Sequence, residues 1–265
     1  MRRNKETLEV AMQWDMEGDS AFVTGGGSGI GQAIALKLAE QGVKVAVADV
    51  DAAKAEGTAS RIGEGGGTAL ALELDVTRSD RVNDAIARTH AEFGSLAYLM
   101  NVAGISQQKA VHEISDQDWA RMIDVHLNGT FYCIRAALPL MMEAGFGVIA
   151  SLSSMHGLKG QEMASHYSAA KAGIAALTKA VAREVAGSGI RINALAPGPI
   201  DTPMWRRGLI GEALEKRKSD RSKIVPMGRL GEPAEVADLA VFLLSNASTY
   251  VTGQVVGVNG GELMP

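Results

Sequence analysis

The sequence predicts an α/β fold, a doubly wound parallel sheet of about seven strands with helices on both faces. Two observations lead there. Short, near-continuous apolar runs alternate with longer segments whose apolar residues recur at three- and four-residue intervals, the pattern of buried strands and covering helices. The 265 residues, 46% hydrophobic and 21% charged, suffice for a sizeable core, and no Pro- or Ser-rich linker or internal repeat divides the alternation.

The strands are expected at "SAFVTG" (20–25), "VKVAVADV" (43–50), "TALALELDV" (68–76), "LAYLMNVAG" (96–104), "GVIASLSS" (147–154), "IRINALAPG" (190–198) and "GQVVGVNGG" (253–261). Between the early ones, "GQAIALKLAEQG" and "RVNDAIARTHAEFG" carry helical periodicity. Residues 1–18 are set apart as an N-terminal extension and 19–265 as one domain. "MRRN" resembles the start of an export signal, but Glu6, Glu9, Asp15 and Glu17 soon follow with no uninterrupted apolar stretch. No run of 18 apolar residues occurs, and a net charge of −4 lacks the basic bias of a general nucleic-acid binder. Cys133 is the only cysteine, so no internal disulfide forms. A cytoplasmic protein with neither membrane nor nucleic acid as partner is expected.

The first strand runs into "TGGGSGIGQAIALKLAEQG". The spacing is T-G-x-x-x-G-x-G from Thr24, placing Gly25, Gly29 and Gly31 in a tight strand-to-helix turn, with Ser28 and Ile30 between them. A phosphate-binding P-loop needs Lys after Gly31, where Gln32 stands. What remains is a Rossmann-type turn that lets a pyrophosphate approach backbone N–H groups at a helix N-terminus. Asp49 ends the second strand, 18 positions beyond Gly31, where a carboxylate accepts hydrogen bonds from an adenosine ribose. It is equally placed to cap a helix. Val50 follows it and Ser28 is uncharged, so a ribose 2′-phosphate meets a carboxylate with no adjacent cation. NAD is favoured over NADP, with Lys54 the residue best placed to reverse that preference.

"HYSAAKAG" (166–173) sets Tyr167 and Lys171 one helical turn apart, on one face, among small residues. Such a pair is either surface decoration or chemistry. Oxidising an alcohol needs a base for the hydroxyl proton, and a free phenol, with a pKa of about 10, is a poor one. An ammonium roughly 5 Å away in an effective dielectric of about 20 contributes about 3 kcal/mol, enough to lower the phenol by about two pKa units. Ser154, at the carboxyl end of the fifth strand, is placed to hold the substrate oxygen.

These motifs, in this order, resemble the classical short-chain dehydrogenase/reductases from about residue 18 to the end. "TGGGSGIG" is similar to that family's cofactor loop, and "LDV" to its adenine-contacting segment, with Asp75 and Val76. "NVAG" is similar to its N-N-A-G, with Asn101, Ala103 and Gly104 retained and Val102 in place of the second Asn. "PGPIDT" resembles the turn that holds the nicotinamide carboxamide, which implies Pro197, Gly198, Ile200 and Thr202 at the cofactor. Ser154 lies 13 residues before Tyr167 and, with Lys171, gives the family's S, then Y-x-x-x-K. The resemblance implies cofactor contacts for Tyr167 and Lys171 too, a homotetramer, and a substrate-covering segment near 200–226.

One position departs from the family. In "DVHLNGTF", His126 stands where the family carries an Asn that shapes a helix distortion and a water-mediated proton path. An imidazole both donates and accepts, and unperturbed it titrates near 6.5, so it is assigned to the catalytic set as a relay member. The alternative is a packed histidine whose backbone carbonyl holds the water. His112, His156 and His166 have no ligand-like spacing and are expected on surfaces or loops, with no metal site.

Residues 204–223 hold seven Lys/Arg (206, 207, 216, 217, 218, 221, 223) against three acids (212, 215, 220). That excess either attracts an anionic substrate or acyl carrier or marks a solvated amphipathic helix. Met204 and Trp205 are candidate apolar walls. The function expected is NAD-dependent interconversion of a small-molecule secondary alcohol and its ketone, the substrate a sugar, polyol or cyclic alcohol. The alternatives are a 3-oxoacyl-acyl carrier protein reductase and a cofactor-binding scaffold without turnover, the latter supported only by His126.

Overall fold

The computed structural model describes residues 14–206 and 208–264. Seven parallel strands form one sheet: β1 (Ser20–Thr24), β2 (Lys44–Asp49), β3 (Ala69–Glu73), β4 (Tyr98–Asn101), β5 (Gly147–Leu152), β6 (Ile190–Pro197) and β7 (Val255–Val258). Their order is β3-β2-β1-β4-β5-β6-β7. Succession along the sheet reverses between β1 and β4, so a crevice opens there at the strands' carboxyl ends.

The helices are α1 (Gly29–Glu40), α2 (Ala52–Glu64), α3 (Ser79–Phe93), α4 (Asp116–Ile123), α5 (Gly129–Ala144), α6 (Met155–Lys159), α7 (Ser165–Val185), α8 (Pro203–Arg206), α9 (Gly211–Ser222) and α10 (Pro233–Leu244). A π-helical turn, Asp124–Asn128, joins α4 to α5. Strand side chains alternate between two cores. Val23, Val45, Val47 and Ala150 pack with Ile34 and Leu38 of α1 and Val236 and Val241 of α10. Phe22, Ala46 and Ile149 pack with Ile86 of α3, Ile134 and Met141 of α5 and Val181 of α7. The doubly wound architecture expected from the alternation is the one observed.

Each expected strand is present but shorter at its ends. "LAYLMNVAG" contracts to β4 because the Val102 and Ala103 N–H groups leave the ladder and donate to Thr24 Oγ1 at 3.0 and 3.2 Å. Residues 1–13 of the N-terminal extension, including the "MRRN" start, lie outside the described residues, as does Arg207. The rest of that extension is packed: Met16 is buried, and Trp14 meets Phe242 edge-on at 5.9 Å. Among the described residues no helix is long and apolar enough to cross a membrane.

Candidate active site

At the switch point, the turn after β1 needs glycine for two reasons. Gly25 has φ +65°, and a Cβ there meets Ala103 backbone at 2.9 Å; a Cβ on Gly31 falls 2.1 Å from the Gly25 carbonyl oxygen. The Ser28 side chain makes no capping bond and no acid stands in the first turn of α1, so the positive end of the helix faces the crevice. The Asp49 carboxylate is fixed by two backbone donors, Gly27 N–H and Asp51 N–H, both at 3.0 Å. Lys54, the first cation after Asp49 in the chain, is engaged by Asp51 at 2.8 Å. A cavity of about 720 Å³ runs past Gly25, Ser28, Gly29, Ile30, Gly31 and Asp49, then Asp75 and Val76, then Ala103 and Gly104, and ends at His126, Tyr167, Lys171 and Thr202. Glycine turn, helix terminus and ribose-height carboxylate line one continuous channel, a donor set that fits a dinucleotide.

Four of the expected cofactor residues stand elsewhere. Asn101 is buried beneath the channel floor, its Nδ2 donating to Ser151 Oγ at 3.1 Å while Oδ1 has no partner. It ties β4 to β5 rather than lining the channel. Pro197, Gly198 and Ile200 line a second, adjoining cavity of about 1190 Å³ and not the first. The reason is the path of the chain after β6. Residues 199–201 pair with Gly231 through Gly231 N–H to Pro199 O and Asp201 N–H to Gly231 O, which holds Ile200 away from the channel. Thr202 borders both cavities.

Ser154, Tyr167, Lys171 and His126 come together around the boundary between the cavities. Ser154 lies two residues beyond β5 and caps α6, its Oγ accepting from His156 N–H at 3.1 Å. Lys171 is buried; its Nζ donates to Leu152 O at 2.5 Å and lies 5.7 Å from the Tyr167 ring centre. Ser153 Oγ, donating to Lys171 O at 2.8 Å, holds the helix against the strand. Tyr167 lines both cavities, Lys171 only the first and Ser154 only the second. Electrostatics here differ from a simple charge pair. Burial pushes the Tyr167 phenol up, with the Ser154 hydroxyl pulling the other way. Burial also pulls Lys171 down to about 7, since a low-dielectric site disfavours either charge alone. The expected depression of the phenol is therefore not produced by the lysine in this site by itself.

His126 sits within the π-helical turn, buried, its ring edge-on to Tyr167 at 5.3 Å. The distortion expected with Asn is thus formed with His. Its Nε2 lies 3.1 Å from Ile105 N and 2.9 Å from Ile105 O, while buried Nδ1 has no partner. The ring packs on Gly104, where a Cβ would fall 2.4 Å from Cε1. Its backbone carbonyl accepts from Thr130 Oγ1 at 2.7 Å. Desolvation, followed by the nearby Lys171 charge, holds the imidazole well below the usual histidine range, so titration near 6.5 does not apply to it.

The second cavity is lined by Met204 and Trp205, the candidate apolar walls, and by Glu262, which sequence reasoning missed, with Asp201 close by in the chain. Asp201 and Glu262 are nearly buried carboxylates, and each holds two cations. Asp201 binds Arg206 at 2.6 Å and Lys218 at 2.7 Å; Glu262 binds Lys159 at 2.8 Å and Arg221 at 2.6 Å. Lys223 pairs with Asp220 at 2.9 Å, and Arg217 stacks on Trp205 at 4.7 Å. The excess of positive charge in 204–223 is thus largely answered by acids, two of them outside that segment. Among the other histidines, His112 is exposed and His156 half-buried, but His166 is fully buried, its Nε2 2.9 Å from Gln107 Oε1. The expectation of a surface or loop role fails for His166 because α7 turns that side chain into the protein beside the Gln107–Asp118 hydrogen bond of 2.6 Å. No group of three or more potential metal ligands gathers among the described residues.

Comparison with known proteins agrees with this geometry. The family model that matches, over residues 25–262, is described as enoyl-(acyl carrier protein) reductase. The chain is 43% identical to a cis-4-hydroxycyclohexanecarboxylate dehydrogenase of Sinomonas cyclohexanicum, over 91% of this chain and 95% of that one. It is 38% identical to a cyclohexanol dehydrogenase of Acinetobacter sp. (strain SE19), over 96% and 98%. It is 39% identical to a 3-oxoacyl-acyl-carrier-protein reductase of Staphylococcus aureus (strain Mu50 / ATCC 700699), over 92% and 98%. With these matches spanning nearly its whole length, the chain belongs to the classical short-chain dehydrogenase/reductase family, whose members are oxidoreductases binding a nicotinamide cofactor.

Proposed function

We propose that this enzyme is an NAD-dependent dehydrogenase that interconverts a secondary alcohol and its ketone, the alcohol being a cyclic one. The observation that carries this reading is Tyr167 on the boundary between the two cavities, with Lys171 on one side of it and Ser154 on the other. Bound NAD would supply the hydride acceptor. Ser154 Oγ holds the substrate hydroxyl by a hydrogen bond, and Tyr167 takes its proton as charge builds on oxygen. Burial disfavours a lone phenolate and a lone ammonium alike, and the positive nicotinamide ring of bound NAD would favour the phenolate. His126 acts by position: through Ile105 it holds the loop that forms the channel wall against the π-helical turn.

Asp49 supports NAD over NADP, because its carboxylate is held by two backbone donors and Lys54 is already paired. The cyclohexanol and hydroxycyclohexanecarboxylate relatives support a ring alcohol over a sugar or polyol. A 3-oxoacyl reductase is the second reading, favoured by the Staphylococcus aureus relative; the pairing of the cations in 204–223 with acids weakens it. The same reading takes the enzyme to be a cytoplasmic homotetramer, and exposed Phe131 and Met142 on α5 are consistent with subunit contacts.

The test is a turnover screen of NAD and NADP against cyclohexanol, substituted cyclohexanols, polyols and 3-oxoacyl thioesters, with parallel NADH and NADPH titrations. NAD turnover of ring alcohols and tighter NADH binding are expected. NADPH affinity equal to or above that for NADH would overturn the argument from Asp49. Preferred turnover of 3-oxoacyl thioesters would overturn the substrate assignment.

A further inference from the structure

Glu262 follows β7 and lines the second cavity together with Ser154. Its side chain is only 5% exposed. Oε1 accepts from Lys159 Nζ at 2.8 Å and from Arg221 Nη2 at 2.6 Å, and Oε2 accepts from the same Arg221 nitrogen at 2.6 Å. Lys159 closes α6, the helix that Ser154 caps, and Arg221 lies on α9. One carboxylate therefore joins two walls of the cavity, and all three side chains line it. Burial alone would raise the Glu262 carboxyl, but hydrogen bonds and charge from Lys159 and Arg221 outweigh it and keep the group ionised. The other acids on this lining, Glu162 and Asp220, are exposed to solvent, which screens them.

We infer that Glu262 sets the charge selectivity of the substrate cavity, taking up Lys159 and Arg221 so that an uncharged ring is admitted and a carboxylated one is disfavoured. The inference rests on reading the second cavity as the substrate site. A carboxylate entering it finds Lys159 and Arg221, the two cations beside the buried wall, already committed to Glu262; the other lining cations are Lys216, exposed to screening solvent, and Arg217, stacked on Trp205, so a strong pairing requires displacing Glu262. Without the Glu262 charge, the same two cations become a ready carboxylate receptor, with the planar guanidinium contributing the directional part.

The test compares binding of cyclohexanecarboxylate and cyclohexanone by calorimetry, with and without saturating NADH, for the wild type and Glu262→Gln. The wild type is expected to favour the ketone. Glu262→Gln is expected to shift the affinity ratio about tenfold toward the carboxylate, the size of one charge-assisted hydrogen bond gained. The double variant Glu262→Gln with Arg221→Gln should lose that gain. An unchanged ratio in a cooperatively melting Glu262→Gln, or a gain that persists in the double variant, overturns the inference. If Glu262→Gln does not melt cooperatively, Lys159→Gln decides: it removes one cation from the same wall and must weaken carboxylate binding relative to ketone, and no change overturns the inference. These readouts need no turnover, so a failed dehydrogenase assignment and a failed selectivity assignment give different results.

Discussion

Helices α7 and α9 face the same cavity and are held by opposite means. α7 buries a stripe running from His166 and Ala170 through Ile174 and Val181 to Val185, and Lys171 is placed as part of that packing. α9 buries none of its residues. Its attachments include Lys218 to Asp201 and Arg221 to Glu262, carboxylates that are themselves 7% and 5% exposed, and Arg217 over the Trp205 ring. A helix polar on all sides owes its place to such pairs or to nothing. The groups proposed to do chemistry are thus fixed by close packing, which resists displacement. The wall of the proposed substrate cavity is fixed in part by ion pairs, which weaken with salt.

The comparison breaks most sharply at Tyr167. Tyr167→Phe keeps the ring that packs against His126 but deletes the proposed proton acceptor. Steady-state assays should show turnover lower by about 10²–10⁴-fold, with NADH binding nearly unchanged by fluorescence titration. Substantial residual turnover would remove the phenol from the mechanism and leave α7 a packing element.

His126 gives an intermediate effect. His126→Leu leaves one Ile105 backbone group, the C=O or the N–H according to the imidazole tautomer, without its side-chain partner, a loss of about 1–3 kcal/mol, visible in denaturant melts and accompanied by weaker activity; His126→Asn should recover most of both. Because the folded imidazole titrates well below 6.5, it stays neutral as pH falls through 6.5, and kcat should show no acidic limb there. The unfolded chain binds that proton first, so stability conferred by the neutral ring is present above about 6.5 and declines as pH falls below it. Wild type should therefore lose more stability between pH 7 and 5 than His126→Leu does. An equal loss would refute the buried, neutral assignment.

The smallest effect belongs to the outer wall. Asp201→Asn releases Arg206 and Lys218, and since those cations are partly exposed, KM should rise only roughly two- to fivefold with kcat little changed. The wild-type KM should drift the same way with added salt, and the variant's less so. Cation contacts hold the Asp201 carboxyl below its ordinary value, Arg206 foremost, against the opposing effect of burial. Its contribution is thus complete above about pH 4 and is lost only as pH falls through its own lower pKa. A large kcat change in Asp201→Asn would mean that wall and chemistry are not separable.

The same contrast explains what the sequence made legible. Seven strands, the glycine turn and the Ser154–Tyr167–Lys171 set were readable because packing imposes periodicity and the motifs keep fixed local spacings. Strand ends were not, since Val102 and Ala103 leave β4 for a threonine hydroxyl that is distant in the chain. Nor was Asn101's place below the channel, or Ile200's on the other cavity, because each depends on a neighbouring strand or on Gly231. Asp201 stood inside a recognised turn and Glu262 in a C-terminal tail that resembles the family's inter-subunit segment. Their partners lie at separations with no period, so no pattern marked either one. For Tyr167 and Lys171, spacing gives their proximity, but only the fold gives their desolvation.

The turn at Gly31 has a consequence at the level of the gene. A Cβ there falls 2.1 Å from the Gly25 carbonyl oxygen, a backbone atom with nowhere to go. Every amino acid reachable from a glycine codon by one nucleotide change carries a Cβ. That codon therefore has synonymous neighbours and damaging ones, with no missense path between them along which the loop could drift toward another ligand. Codons for the exposed residues of α9 have many tolerated neighbours, so substrate range can diversify there while the cofactor turn stays as it is.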